Sequence, residues 1–313
     1  MPFVATAQFA PAELDQYRRE LTGYCYRMLG SAFDAEDAVQ ETMLRAWRSL
    51  DRFEGRSALK SWLYRIATNV CFDALAGRER RARPMDLGPA QEPLIENLAE
   101  LPEATWLTPL PTPEEEMEQR ESLRLAFVAA LQHLPPKQRA ALILCEALKW
   151  QASEAAELLD TSVASINSAL QRARATLAKA DIGAPAELDA DTQALLDRYV
   201  AAFEAYDIDR LTELLHEDAV QSMPPYSLWL QGREKIFTWW FGPGIGCKGS
   251  KLVPLGLVNG MLAWGQYKPA PDGGYEPWAV IVPDVSAGRI VELTFFLDTQ
   301  RLFPLFELPD HLA

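Results

Sequence analysis

The sequence predicts a multidomain chain: two all-α modules, a helical bundle and a helix-turn-helix, followed by an α+β cone-shaped domain. Three observations carry this. Helical periodicity runs over residues 11–83 and returns over 123–180. Between them, residues 84–122 are rich in proline and acid, as in GPAQEPLIENLAELPEATWLTPLPTPEEE, and read as a linker. After a break at Gly183–Ala184–Pro185, residues 188–313 pass from helical patterns to strand-like runs separated by turns. A length of 313 residues suits two or three domains.

Composition narrows the class. Apolar residues make up 49% and charged residues 24%, which fits packed cores rather than disorder. The start, MPFVATAQFAPAELDQ, lacks a basic segment followed by an apolar one, and no apolar run approaches a membrane span. A soluble, cytosolic protein without membrane contact is expected. Cys25, Cys71, Cys145 and Cys247 are far apart, and His133, His216 and His311 are scattered. Neither a disulfide framework, a metal site nor a cofactor is expected from them. The net charge of −14 speaks against nucleic acid until its distribution is read. Arg52–Arg83 holds eight Lys/Arg against three Asp/Glu, and residues 123–180 are positive by three. Residues 84–122 are negative by nine, and those from 181 onward by ten. Two basic modules therefore alternate with acidic segments, and local field steers a polyanion more than the total does.

In the first module, a helix is expected over Asp34–Leu50, with Asp34, Glu36 and Asp37 suiting its N-terminus. Val39, Met43, Ala46, Trp47 and Leu50 form the stripe expected to face the core. Asp37, Gln40, Glu41, Leu44 and Arg48 form a second face, which is either plainly solvated or a docking surface. A further helix over Ser57–Leu75 sets Leu59, Leu63, Ile66, Val70 and Ala74 inward. Trp62, Arg65 and Asn69 share another face, and a ring, a guanidinium and an amide are the groups that hold an unstacked base. Arg56, Lys60, Arg78, Arg80, Arg81 and Arg83 flank them as candidate phosphate contacts.

In the next module, Gln151–Leu159 is a short helix and Asp160–Thr161–Ser162 a turn, with Ser162 as N-cap. Val163, Ile166, Leu170, Ala173 and Leu177 mark one face of a second helix, and Arg172 and Arg174 lie near its end. The pattern fits a helix-turn-helix whose second helix offers Ala164, Ser165, Asn167 and Ser168 to a major groove. In the last domain, helices are expected over Leu188–Tyr206, with Leu195, Leu196, Tyr199 and Phe203 inward, over Ile208–His216 and over Glu234–Trp240. Strands follow at Lys251–Val258, Met261–Tyr267, Trp278–Val282 and Ile290–Phe296, with turns at Asn259–Gly260 and Asp272–Gly273–Gly274. Helices followed by a curved antiparallel sheet suggest a cone. Tyr226, Trp229, Trp239, Trp240, Trp264, Tyr267 and Trp278 are candidates to line a ligand pocket in it or to fill its core. His216 and Asp218 are the available acid–base pair. A helix end and a turn are poor places for one, so no catalytic residue is assigned.

DAEDAVQETMLRAWRSLDRF with SALKSWLYRIATNVCFDAL, and LPPKQRAALILCEALKWQASEAAELLDTSVASINSALQRARATL, resemble the second and fourth regions of RNA polymerase sigma factors of the extracytoplasmic-function (ECF) class. The resemblance covers about residues 14–180 and implies a polymerase subunit with core RNA polymerase and promoter DNA as partners. It implies that Asp37, Gln40, Glu41 and Leu44 dock on the polymerase clamp helices. It implies that Asn69, with Trp62 and Arg65, captures unpaired bases of the −10 element, and that the helix after Ser162 reads the −35 element. Arg56 and Lys60 are then candidates for the −10 contacts, and Lys137, Arg139, Arg172 and Arg174 for phosphates of the −35 duplex. The linker is implied to thread toward the polymerase active-site channel, where its acidity imitates nucleic acid. Asn167 and Ala169 stand where basic residues are common, which weakens arginine-on-guanine readout; −35 affinity is then either low, carried by Asn167 on adenine, or dependent on Lys137, Arg139, Arg172 and Arg174 at phosphates. LLDRYVAAFEAYDIDRLTELLHEDAVQSMPP with LQGREKIFTWW resembles SnoaL-like domains, which a subgroup of these sigma factors carries in this place. TWLTPLP and FFLDTQRLFPLFELP resemble the same subgroup.

The domain order that follows is 11–83 (region 2), 84–122 (linker), 123–180 (region 4) and 188–313 (regulatory domain). The last is expected to modulate the chain in cis, with the sigma modules, the linker or a small molecule as its partner. Two other classes compete. A stand-alone helix-turn-helix regulator leaves the faces of Gln40–Glu41 and Trp62–Asn69 unused. A SnoaL-like enzyme on a DNA-binding module needs a working acid or base in the pocket.

Overall fold

The computed structural model describes residues 11–50, 53, 58–112, 120–180, 182 and 187–313. Arg56 and the Gly183–Pro185 break lie outside them. The chain forms two compact units: Met1–Arg81 with Ala126–Asp181, and Ala82–Leu125 with Ile182–Ala313. The two helical modules thus share one body, and the linker belongs to the other.

The first unit runs through α1 (Pro11–Asp15), α2 (Arg18–Leu29), α3 (Ala32–Ser49), α4 (Leu59–Leu75), α5 (Leu125–Gln132), α6 (Pro136–Leu142), α7 (Ala152–Leu158) and α8 (Val163–Leu177). Gly30 ends α2 at φ 74°, a left-handed conformation glycine takes without strain. Ser31 then caps α3, its side chain accepting from Asp34 N at 3.3 Å. α3 buries Ala35, Ala38, Val39, Thr42 and Ala46. This stripe of mostly small side chains lets α2 and α4 come close and turns Trp47 outward, 56% exposed. The expectation that Trp47 faces the core is therefore corrected. α4 buries Leu63, Tyr64, Ala67, Val70 and Cys71, while Leu59, Ile66 and Ala74 are only half-buried. The stripe is rotated from the expected one because Tyr64 goes inward, edge-on to Tyr24 at 5.2 Å, and the Tyr24 hydroxyl meets Thr68 Oγ1 at 2.7 Å.

Arg139 joins the two halves of this unit. Its Nη1 donates to Met28 O and to Gln132 Oε1 (2.7 Å), and its Nη2 to Gln132 O (3.0 Å) and Leu134 O (3.1 Å). Burial pulls its pKa down to about 10, against the opposing effect of Cys71. Gln132 Nε2 also donates to Arg27 O at 3.4 Å. Further out, Tyr64 packs on Trp150 at 5.1 Å, and Arg65 Nη2 donates to Glu157 O at 3.1 Å, so α4 lies against α7.

The second unit has α9 (Ala190–Ala205), α10 (Ile208–Leu214), β1 (Leu215–Ser222), β2 (Trp229–Gln231), α11 (Arg233–Phe241), β3 (Lys251–Val258), β4 (Met261–Pro269), β5 (Tyr275–Ser286), β6 (Arg289–Phe296) and α12 (Thr299–Leu305). The strands form one sheet in the order β2-β1-β6-β5-β4-β3. All pairs are antiparallel except β1 with β6, which is parallel, so the wholly antiparallel sheet expected from the sequence is corrected. Leu196, Tyr199 and Phe203 of α9, Leu211 of α10 and Trp240 of α11 pack with Ile281 and Leu293 of the sheet. The expected helix Ile208–His216 stops at Leu214, and His216 and Asp218 lie on β1, where Asp218 N donates to His216 Nδ1 at 3.1 Å.

The linker is a strap laid on this unit. Asn259 and Gly260, at φ 50° and 74°, make the tight β3–β4 hairpin. Asn259 grips the strap: Leu110 N donates to its Oδ1 (2.9 Å), its backbone N–H to Leu110 O (3.0 Å), and its Nδ2 to Leu123 O (2.7 Å). Gly260 N donates to Thr112 Oγ1 at 3.1 Å, and a Cβ at Gly260 would lie 2.7 Å from Arg120 O. Trp106, Leu107 and Leu110 are buried. Ion pairs bind the two ends: half-buried Arg83 to half-buried Glu292 at 3.5 Å, and buried Arg124 to half-buried Asp284 at 2.5 Å. Asp284 and Glu292 face each other on β5 and β6. Burial raises the pKa of both carboxyls, while the arginines oppose the rise.

Candidate nucleic-acid interface and docking faces

α3 presents Asp37 and Gln40 exposed and Glu41 half-buried, with Leu44 50% exposed and Trp47 56%. Glu41 holds Arg45 at 2.6 Å, and Arg45 reaches Asp73 at 3.2 Å. The face is a shallow apolar pair beside an amide and fixed carboxylates. It can take a helix carrying both apolar and basic side chains. Trp47 was missed in the sequence because it falls at the edge of the inward stripe. Its place one turn beyond Leu44 is the signal that could have found it.

On α4, Arg65 and Asn69 are exposed, and Trp62 is half-buried against Phe53 at 5.0 Å. These three do come together on one face, and Arg65 is engaged by Glu157. Lys60 pairs with Glu20 on the neighbouring helix. Of the flanking arginines, Arg81 is buried on Asp34 at 2.9 Å, with Arg78 on the same carboxylate at 3.2 Å. Arg80 meets the His133 ring, and Arg83 is held in the second unit. Arg81 and Arg83 are therefore structural rather than phosphate contacts.

The α7–turn–α8 segment is built as expected. Gln151 and Glu154 form a capping box on α7, and Ser162 caps α8, accepting from Ser165 N at 3.1 Å. Ala164, Ser165, Asn167 and Ser168 are all exposed at the start of α8, while Ile166, Ala169, Leu170 and Ala173 are buried. Ala169 is thus a core residue, not a weakened reader. Arg172 and Lys137 are exposed, and Arg174 is exposed and paired with Glu146 at 2.6 Å. Arg139, proposed to hold phosphate, is buried with its donors turned to main-chain oxygens, and is corrected to a structural residue.

The second unit holds a cavity of about 230 Å³. Of the candidate residues, Tyr226, Trp239, Trp240 and Trp278 line it. Trp229, Trp264 and Tyr267 do not. Trp229 Nε1 donates to Gly88 O of the strap at 2.9 Å, Trp264 packs on Tyr199 at 5.7 Å and Tyr267 on Phe303 at 5.1 Å. Gln221, Gln266 and the strap residues Ile95 and Leu98 line it as well, and the sequence did not single them out. Among the described residues, no group of His, Cys, Asp and Glu could hold a metal ion, and no helix is long and apolar enough to cross a membrane.

Comparison with known proteins agrees with this layout. The family model for sigma-70 region 2 matches residues 14–81, and that for sigma-70 region 4 matches residues 124–177. The chain is 47% identical over 319 aligned positions to the ECF RNA polymerase sigma factor SigG of Mycobacterium tuberculosis, covering 96% of this chain and 84% of the relative. It is 29% identical to SigJ of the same organism, covering 84% and 83%. The crystal structure of SigJ shares the fold at a TM-score of 0.62 and 22% identity, covering 92% of this chain and 96% of that one.

Proposed function

Because the chain belongs to the extracytoplasmic-function class of RNA polymerase sigma factors, we propose that it docks on core polymerase through α3, reads the promoter through α4 and α8, and is restrained in cis by its second unit. Promoter-directed initiation is the shared work of the class. Asp37, Gln40, Glu41, Leu44 and Trp47 form the polymerase face. Trp62, Arg65 and Asn69 hold melted bases of the −10 element, with Lys60 on the same helix available to a phosphate. Capture of unpaired bases favours the open strand, because a paired base hides the edges that these side chains would bond. Ser165, Asn167 and Ser168 face the −35 duplex, with Asn167 suited to adenine and Lys137, Arg172 and Arg174 near phosphates.

One observation carries the mechanism: Arg65 on α4 is bonded to Glu157 on α7. The −10 and −35 elements lie about 25 base pairs apart, roughly 85 Å of duplex at about 3.4 Å per base pair. Readers in contact with each other cannot reach both. The free chain is therefore closed, and engagement requires α7 and α8 to leave α4. The α3 face stays open meanwhile, so polymerase binds first and opening follows. The strap adds a second restraint. A linker held by Asn259, Asp284 and Glu292 is not free to enter the polymerase channel, so the second unit acts as an inhibitor until the strap is released. The role needs no catalysis by this chain, and its place of action is the cytoplasm, with polymerase and promoter.

Transcription in vitro with bacterial core polymerase tests this. Promoter-specific transcripts should require Gln40 and Leu44, and Asn259→Ala should increase them. Duplex binding without polymerase, together with no transcript from any variant, would instead favour a stand-alone helix-turn-helix regulator.

A further inference from the structure

We propose that the cavity of the second unit is a site for a small neutral ring compound bearing a hydroxyl group, and that the linker turn Ile95–Asn97 is its lid. Ligand occupancy and strap docking then reinforce each other. The cavity's 230 Å³ lies between the ~150 Å³ that accepts benzene and the ~300 Å³ at the lower end of drug-sized pockets, which suits one ring or two fused rings. Phe203, Trp239, Trp240, Trp278 and Phe295 give it aromatic walls, against which a flat ring packs offset or edge-on. Among the described residues no charged side chain lines it, and a charged ligand would lose its hydration without a partner.

Two buried amides in this apolar wall set the polar requirement. Gln221 Oε1 accepts from Trp240 Nε1 at 2.6 Å, which leaves the amide NH₂ as a donor. Gln266 has the opposite arrangement: its NH₂ donates to Ser250 Oγ at 3.0 Å, and its Oε1 is buried with no hydrogen-bond partner among the described residues. Buried polar groups are nearly always satisfied, so such an acceptor on a cavity wall points to a ligand donor. A hydroxyl donates and accepts, and so answers both amides.

The lid comes from the strap. Ile95 and Leu98 line the cavity, and the chain on either side is pinned to its rim. Gln91 N donates to Trp229 O (3.0 Å), Ser227 N to Ala99 O (2.8 Å), Leu101 N to Pro225 O (3.0 Å), and Glu92 pairs with Lys235 at 2.7 Å. A ligand touching Ile95 and Leu98 binds the docked strap better than the free one. By linkage it must favour docking to the same extent. Control of transcription by such a ligand rests on the inhibitory reading of the strap, but the binding itself does not.

The test uses the full chain with phenol, 2-naphthol and 2-naphthoate as probes. Tryptophan fluorescence follows binding, and cleavage by a glutamate-specific protease at Glu96 and Glu100 follows the strap. Saturable binding of 2-naphthol is expected, without competition from 2-naphthoate, and it should slow linker cleavage several-fold. Leu98→Ser should weaken 2-naphthol about tenfold with little change in the unfolding midpoint, and Gln266→Leu should erase the preference for 2-naphthol over naphthalene. Absence of saturable binding by phenol and 2-naphthol would overturn the proposal, as would equal binding of 2-naphthoate, or binding with cleavage unchanged. Any of these would leave the effect of Asn259→Ala on transcription untouched, so the two ideas fail separately.

Discussion

The outer faces of α3 and α4 carry side chains of the same kinds: a tryptophan, an amide and charged groups at helical spacing. In the free chain they meet different surroundings. The α3 face keeps Leu44 and Trp47 half in water, and its ion pairs stay within the region-2 helices. The α4 face lends Arg65 to Glu157 and lies beside Tyr64, which packs on Trp150. Composition alone would rank the two faces equally as sites. Their surroundings separate them into a surface that is ready and a surface that must be uncovered, and that separation gives the order of events: docking, opening, reading.

The largest effect should come from removing what bolts the closed form together. Arg139→Ala deletes four donor contacts and leaves main-chain oxygens of residues 28, 132 and 134 unpaired. A loss of about 3 kcal/mol in stability is expected in denaturant titration, as for a buried charged network broken from one side. If Arg139 held phosphate instead, the variant would keep its stability and lose about one unit of salt slope in −35 binding. Lys137→Ala should show that second behaviour.

Next comes the ready face. Leu44→Ala with Trp47→Ala should weaken core polymerase binding by roughly 2 kcal/mol, or about 30-fold, with little change in stability, since a half-exposed tryptophan is a typical anchor and contributes little to the fold. Equal loss of stability and binding would place Trp47 back in the core and erase the contrast between the faces. Asn259→Ala should follow at about 1–3 kcal/mol, seen as faster cleavage of the strap, because it leaves Leu110 N and Leu123 O buried without their partner. Glu157→Ala should be smaller, about 0.5–1 kcal/mol, because Arg65 is exposed and its ion pair is long. It should raise −35 duplex binding by the free chain a few-fold.

The smallest effect is on pH. Glu292 is raised by burial, so its folded form binds a proton more readily than its unfolded form. The stability it contributes is present at low pH and is lost as pH rises through the raised value. Wild type should therefore gain stability relative to Glu292→Gln between about pH 7 and about pH 4.5. A relative loss on acidification would mean that the Arg83 pairing outweighs burial.

Much of this could be read from the residues. Ser162 announced the start of α8 because a hydroxyl before an apolar 3.6-residue stripe has few other uses, and Asn259–Gly260 announced the β3–β4 hairpin. β1 and β2 were not legible. Leu215 follows α10 without a turn residue, and the run His216–Glu217–Asp218 alternates nothing. The strap reads only as a linker in the sequence because proline and acid dominate its composition, whereas Trp106, Leu107 and Leu110 decide its fate by burial. The side on which Trp47 lies depends on α2 and α4 approaching over alanines, which one helix's periodicity does not contain. Gln221 and Gln266 carry no pattern at all, since an amide on a strand becomes informative only when its neighbours are known.

The most direct test of the account is a distance between α8 and the end of region 2. Spin labels at Glu79→Cys and Gln171→Cys, both exposed positions in the first unit, would be measured by double electron–electron resonance in the free chain and in the initiation complex. A short, narrow distribution is expected in the free chain, with a shift of tens of ångströms outward once polymerase and promoter are bound, on the scale of the roughly 85 Å between elements. An unchanged short distance in a complex that makes transcripts would contradict it.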